Sequence, residues 1–170
     1  MRHDPKNNEQ PDLNEKQPQD TKKDIRRSAL NSLARRDHSQ REIKQKLQSK
    51  GYSPEDIDAV IADLVQEKLI NDHHFAENYV YWRGKKGYGP QRILRELEVR
   101  GIASDVIAEH LKITDNAWFA EARNVWQKRF KGRTPDDFNE RAKQMRFLQQ
   151  RGFTREQIES VFSGISKEID

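Results

Sequence analysis

The sequence predicts an all-α fold, three tandem three-helix repeats with nine helices in an elongated, curved array. Three observations predict it. The strings LQSKGYS (47–53), LEVRGIA (97–103) and LQQRGFT (148–154) share Leu, a basic residue, Gly, a bulky apolar residue and a small residue in register. Their glycines, Gly51, Gly101 and Gly152, stand 50 and then 51 residues apart, and each is followed at six residues by Ile57, Ile107 or Ile158. Self-similarity at a fixed period marks stacked units, each of which buries its seam only partly alone. Apolar residues also recur at helical spacing, almost without strand-like alternation. Finally, the chain is 33% hydrophobic against 35% charged with a mean hydropathy of −1.13, which suits elongated helical packing better than one thick core.

Residues 1–22 hold Leu13 as their only aliphatic residue after Met1 and read as a disordered polar tail, because they bury too little to offset the entropy of ordering. The first helix should cover 23–36 with Ile25, Ala29, Leu30 and Leu33 inward. Ser39 and Glu42 have capping-box spacing for the second, which Gly51 stops. Ser53-Pro54 opens the third, and Asp72 caps the fourth, where Phe75, Tyr79 and Trp82 fall at i, i+4 and i+7 as a core stripe. The fifth starts with Gly89 as N-cap, Pro90 at the first helical position and Tyr88 placed to pack on Ile93. It carries Ile93, Leu94 and Leu97 inward and stops at Gly101. The sixth runs to about 112 and the seventh spans 115–131, with Trp118, Phe119, Val125, Trp126 and Phe130. Thr134-Pro135 opens the eighth, and Thr154 with Gln157 boxes the ninth. The repeats are thus expected at 23–71, 72–113 and 114–170.

With no cysteine, disulfides, thiolate chemistry and Cys-type zinc sites are excluded. No apolar run follows Met1, so the chain reads as a soluble cytoplasmic protein with no membrane partner. No Walker A loop, dinucleotide fingerprint or GxSxG elbow is present. His73 and Glu77 lie at i, i+4 beside His74, but two such groups make no metal or catalytic centre without further ligands, and they read as polar first-turn residues. The expectation is a protein that is not an enzyme, with no cofactor and no metal, acting as a monomer.

Charge is where function is expected. The net charge is only +4, but its sign is unevenly placed. Between Ser53 and Glu77, seven acids face Lys68 alone, whereas between Glu121 and Arg155 ten Lys/Arg face four acids. Such asymmetry fits a basic face for a polyanion and a separate acidic surface. The stretch KKGYGPQRILRELEVRG (85–101) combines a glycine-loosened cationic loop with a strong helix start. Candidate contact residues are Arg83, Lys85, Lys86, Gly87, Tyr88, Gly89, Arg92 and Arg95 in the second repeat. Lys128, Arg129, Lys131, Arg133, Lys143, Arg146 and Arg151 are those of the third. Attraction to phosphate needs no particular sequence, so DNA, RNA and an acidic protein face remain open at this point. Tyr81 falls off the stripe beside Arg83, where it could touch a partner or stack on a base.

KKGYGPQRI (85–93) resembles the RecX family, regulators of the bacterial recombinase RecA. ARRDHSQREIKQKLQSKGY (34–52), LINDHHFAENYVYWR (69–83) and the less strict MRFLQQRGFTREQI (145–158) extend the likeness over about 23–165. The resemblance implies a nine-helix, three-repeat protein of recombination, DNA repair and the SOS response. Its partners would be the RecA–single-stranded DNA filament, bound along its groove, and single-stranded or duplex DNA. It would block strand exchange and ATP hydrolysis and promote filament shortening or disassembly. The glycines and Tyr88 would shape the loop, and the cations would meet phosphate or acidic recombinase surface. A helical-repeat protein that binds nucleic acid without a recombinase partner is the alternative.

Overall fold

The structure is a computed structural model and describes residues 18–163. Those residues form α1 (Pro18–Leu33), α2 (Gln40–Gln48), α3 (Pro54–Gln66), α4 (Asp72–Lys85), α5 (Pro90–Val99), α6 (Ser104–His110), α7 (Ala117–Phe130), α8 (Phe138–Arg151) and α9 (Arg155–Ser163). No strand occurs among the described residues, and none of these helices is long and apolar enough to cross a membrane. Most of the polar tail lies outside the described residues. Its last part, 18–22, read as tail, is instead helical and belongs to α1.

Helices pack within triplets. α1, α2 and α3 enclose Ile25, Ile43, Leu47, Ile57 and Leu64, and α4, α5 and α6 enclose Phe75, Ile93, Leu97 and Ile107. α7, α8 and α9 enclose Trp126, Leu148, Phe153, Ile158 and Phe162. The third core also buries two amides, and both are satisfied. Gln144 accepts from Trp126 Nε1 at 2.6 Å and donates to Arg133 O at 3.3 Å, while Gln157 donates to Ile113 O at 2.9 Å. Gln157 also completes the expected capping box, its Oε1 accepting from Thr154 N while its own N–H reaches Thr154 Oγ1.

Three expectations are corrected. The cap of α4 is Asn71, whose Oδ1 accepts from His74 N at 3.1 Å, because Asp72 is drawn across to Gln40 N at 2.9 Å in the first repeat. α8 starts at Phe138 rather than at Thr134-Pro135, because Asp137 captures Glu140 N at 2.8 Å. Trp82, expected in the core, is 60% exposed. α6 is half as long as α4 and meets it at His73 and His110, so it leaves the last turns of α4 uncovered.

The three repeat glycines have left-handed φ of +84°, +75° and +93°, as helix C′ positions require. Gly101 and Gly152 also do something Gly51 does not: each lies against the first turn of the middle helix of the preceding repeat. A Cβ on Gly101 would sit 2.4 Å from Arg41 Cδ, and one on Gly152 would sit 2.3 Å from Arg92 Cβ, whereas at Gly51 nothing lies within 4 Å. The middle helices therefore meet end to end, α8 onto α5 and α5 onto α2.

At the first junction the Ser39 hydroxyl donates to Arg100 O at 2.7 Å while accepting from Glu42 N at 3.2 Å. Glu42 gathers Arg36 at 3.0 Å, His38 Nδ1 at 3.1 Å and Arg100 at 3.5 Å. His38 is 6% exposed, and its pKa is held below 6.5, first by burial and then by Arg36, against the pull of Glu42. A depressed imidazole contributes stability above pH 6.5 that is lost as pH falls through its folded value. Thermal stability should therefore drop as pH falls below 6.5, and His38→Asn should flatten part of that drop in melting curves.

Candidate polyanion-binding cleft between repeats 2 and 3

The second junction positions the cationic loop. Four N–H groups of a helix start and four carbonyls of a helix end lack intrahelical partners. Here the start of α5 and the end of α8 satisfy each other: Gly89 N donates to Arg151 O at 2.8 Å, and Gln91 N donates to Gly152 O at 3.0 Å. The opposite partial charges of these two helix ends favour the same contact. A Cβ on Gly89 would lie 2.4 Å from both Gly152 C and Phe153 N, so only glycine permits this approach. Pro90, with no N–H, fills the one position between these donors that needs no acceptor.

Tyr88 packs against the second core, and its ring carries three guanidiniums: Arg83 at 3.7 Å, Arg92 at 4.5 Å and Arg151 at 5.1 Å from the centroid. Glu96 binds two of these. It accepts from Arg83 Nε at 2.7 Å and again from Arg83 Nη2, from Arg92 Nε at 3.0 Å and from Tyr79 Oη at 2.9 Å. Burial opposes ionising Glu96, but these hydrogen bonds outweigh it and keep its carboxyl below the ordinary glutamate value. Arg83 and Arg92, expected as contact residues, are thus held within the fold at the junction. Glu96→Gln should cost about 1–3 kcal/mol of unfolding free energy, read by denaturant titration, because two guanidiniums lose a charged acceptor.

Five cations converge. Lys85, Lys86, Lys128, Arg129 and Arg151 line one open cleft of about 310 Å³, with Gly87, Val125 and Phe147 as its apolar part and Glu121 on its edge. Arg151 Nη1 donates to Lys86 O at 3.2 Å, tying the loop of repeat 2 to the end of α8. Gly87, at φ +76°, passes so close to α7 that a Cβ there would lie 2.9 Å from Val125 Cγ2. Trp118 packs against both cores and faces Gly84, which holds α7 against α4.

Other expected residues lie apart from this cleft. Arg95 donates to Gln91 O at 3.1 Å and lines a separate hollow with Arg92 and Arg100. Lys131 closes α7 in the left-handed region at φ +56° and, with Arg133, borders a third hollow. Lys143 pairs with Glu140 at 3.2 Å, and Arg146 is exposed on α8. The acidic stretch is partly paired on the surface: Asp58 meets Lys44 at 2.6 Å, and Glu67 meets Arg26 at 2.6 Å.

Beside Lys85 stands an aromatic pair of which the sequence singles out only Tyr81. Tyr81 and Trp82 are 56% and 60% exposed and meet edge to face at 5.1 Å, with Lys85 Nζ 5.6 Å from the Tyr81 ring. Tyr81 was visible as an off-stripe aromatic. Trp82 was hidden by its place on the apparent stripe.

Family models match all three triplets: the first three-helix domain of RecX over 26–64, the second over 71–111 and the third over 117–162. The regulatory protein RecX of Pseudomonas fluorescens is 41% identical over 145 residues, covering 85% of this chain and 94% of its own. That of Halorhodospira halophila is 42% identical over 137 residues, covering 81% and 85%. The crystal structure of RecX from Lactobacillus salivarius superposes with a TM-score of 0.75 at 24% identity, over 87% of this chain and 98% of that one, which shows the shared fold.

Proposed function

The chain belongs to the RecX family, and from that membership we propose that it regulates the RecA recombinase by binding the RecA–single-stranded DNA filament through the cleft between repeats 2 and 3. The observation that carries the location is the convergence of Lys85 and Lys86 from one repeat with Lys128, Arg129 and Arg151 from the next. Five cations on one concave surface attract phosphate or an acidic protein face, and releasing the counterions held there drives association.

The repeats have separate cores and meet end to end through their middle helices, a layout suited to following a groove. Occupying the filament groove would obstruct the second DNA strand and the subunit movements that accompany ATP hydrolysis. Inhibition by this route requires binding alone and no bond-making by the regulator.

A second reading is direct binding of single-stranded nucleic acid without a recombinase, and Tyr81 with Trp82 favours it. Exposed aromatics accept unstacked bases of any identity, and Lys85 stands where the adjoining phosphate would run. The test is the ATPase rate of a preformed RecA–single-stranded DNA filament as the protein is added. Inhibition at sub-stoichiometric amounts is expected. Tight, salt-sensitive DNA binding with an unchanged ATPase rate would replace the first reading with the second.

A further inference from the structure

The start of α4 and the end of α6 bring together three metal-binding side chains outside the cleft. His73 Nδ1 lies 3.2 Å from Glu109 Oε2, and the His110 ring stands edge-on to His73 with centroids 5.7 Å apart. One ligand atom from each of the three lies within 4.8 Å of the others. We infer that His73, Glu109 and His110 form a binding site for a divalent transition-metal cation of the zinc class.

Two observations go beyond proximity. His110 Nε2 is buried, and among the described residues no hydrogen-bond partner reaches it. Buried imidazole nitrogens are normally paired, and a cation accepting its lone pair would satisfy this one. In addition, ligand bonds of about 2.0–2.1 Å in a tetrahedral site set ligand atoms roughly 3.3 Å apart. The His73–Glu109 distance of 3.2 Å, also that of an ordinary ion pair, is compatible with that edge. His73 and Glu109 are 56% and 61% exposed, free to swing the remaining distance toward His110.

Two imidazoles and one carboxylate select zinc and its neighbours over magnesium or calcium, which prefer all-oxygen shells. Three protein ligands leave the fourth position to water. The bound ion would clamp the first turn of α4 to the last turn of α6, one residue from Asp72, which holds the junction with repeat 1. An exposed histidine–carboxylate pair alone contributes little and leaves His110 Nε2 unexplained. His74 does not take part, because its Nε2 faces Asn78 Nδ2 at 3.0 Å.

The test is isothermal titration of the chelator-treated full chain with zinc chloride, with cobalt(II) absorption as a probe of geometry. One saturable equivalent, tetrahedral cobalt bands and a zinc-dependent rise in melting temperature are expected. Glu109→Gln and His73→Ala, both at exposed positions that leave the fold intact, should each weaken binding roughly tenfold or more, as loss of a ligand exceeds loss of its supporting contacts. His74→Ala should bind as wild type does. No saturable binding would overturn the inference, and so would binding that survives Glu109→Gln and His73→Ala but is lost in His74→Ala.

Discussion

Gly89→Ala is expected to part repeats 2 and 3. Its φ of −82° suits any residue, so the penalty is steric: the new Cβ would lie 2.4 Å from backbone atoms of Gly152 and Phe153, which no side-chain rotation can relieve. Relief requires the α5–α8 contact to open, breaking the bonds from Gly89 N to Arg151 O and from Gln91 N to Gly152 O. Overpacking and two lost hydrogen bonds together should cost about 2–4 kcal/mol in denaturant unfolding. The transition should also broaden or split, because each repeat has its own core. Gly51→Ala separates conformation from contact. Its φ is +84° with nothing within 4 Å, so only left-handed strain of about 1–2 kcal/mol should appear.

Removing the cleft's charge should have the largest effect on binding. In the variant Lys85→Ala, Lys86→Ala, Lys128→Ala and Arg129→Ala, all four side chains come from exposed positions, so each change should move stability by no more than about 0.5 kcal/mol. Arg151 is left in place because it ties Lys86 O to α8. Filament affinity at physiological salt should fall by roughly 100-fold or more, and the dependence of log affinity on log salt should flatten by up to about 3 for a single strand. Trp82→Ala, tested beside it, should weaken binding of single strands by about 1–3 kcal/mol with an unchanged salt slope, as loss of a stacking platform would.

Much of the fold was legible because a helix end leaves a local chemical trace. Leu, a basic residue and Gly in register marked where the middle helix of each repeat stops, and Thr154 with Gln157 marked a start. The misplaced starts of α4 and α8 were contests between neighbouring caps, and long-range demand decided one of them when Gln40 claimed Asp72. The site was less legible because a cation's role depends on what faces it. Arg83, Lys85, Lys86 and Arg92 look alike in the sequence, yet Glu96 binds the first and last while the lysines stay exposed. The Arg92–Glu96 spacing at i, i+4 was readable, whereas the Arg83–Glu96 contact between α4 and α5 was not. Glu109 and His110 carried no pattern with His73, because only the antiparallel packing of α6 on α4 joins them.

The most direct test of the cleft is amide hydrogen exchange of this chain, free and bound to the RecA–single-stranded DNA filament. New protection concentrated at 81–88, 121–129 and 147–152 is the expected result. Protection confined to the acidic stretch at 53–77, with the cleft exchanging as in the free chain, would contradict it.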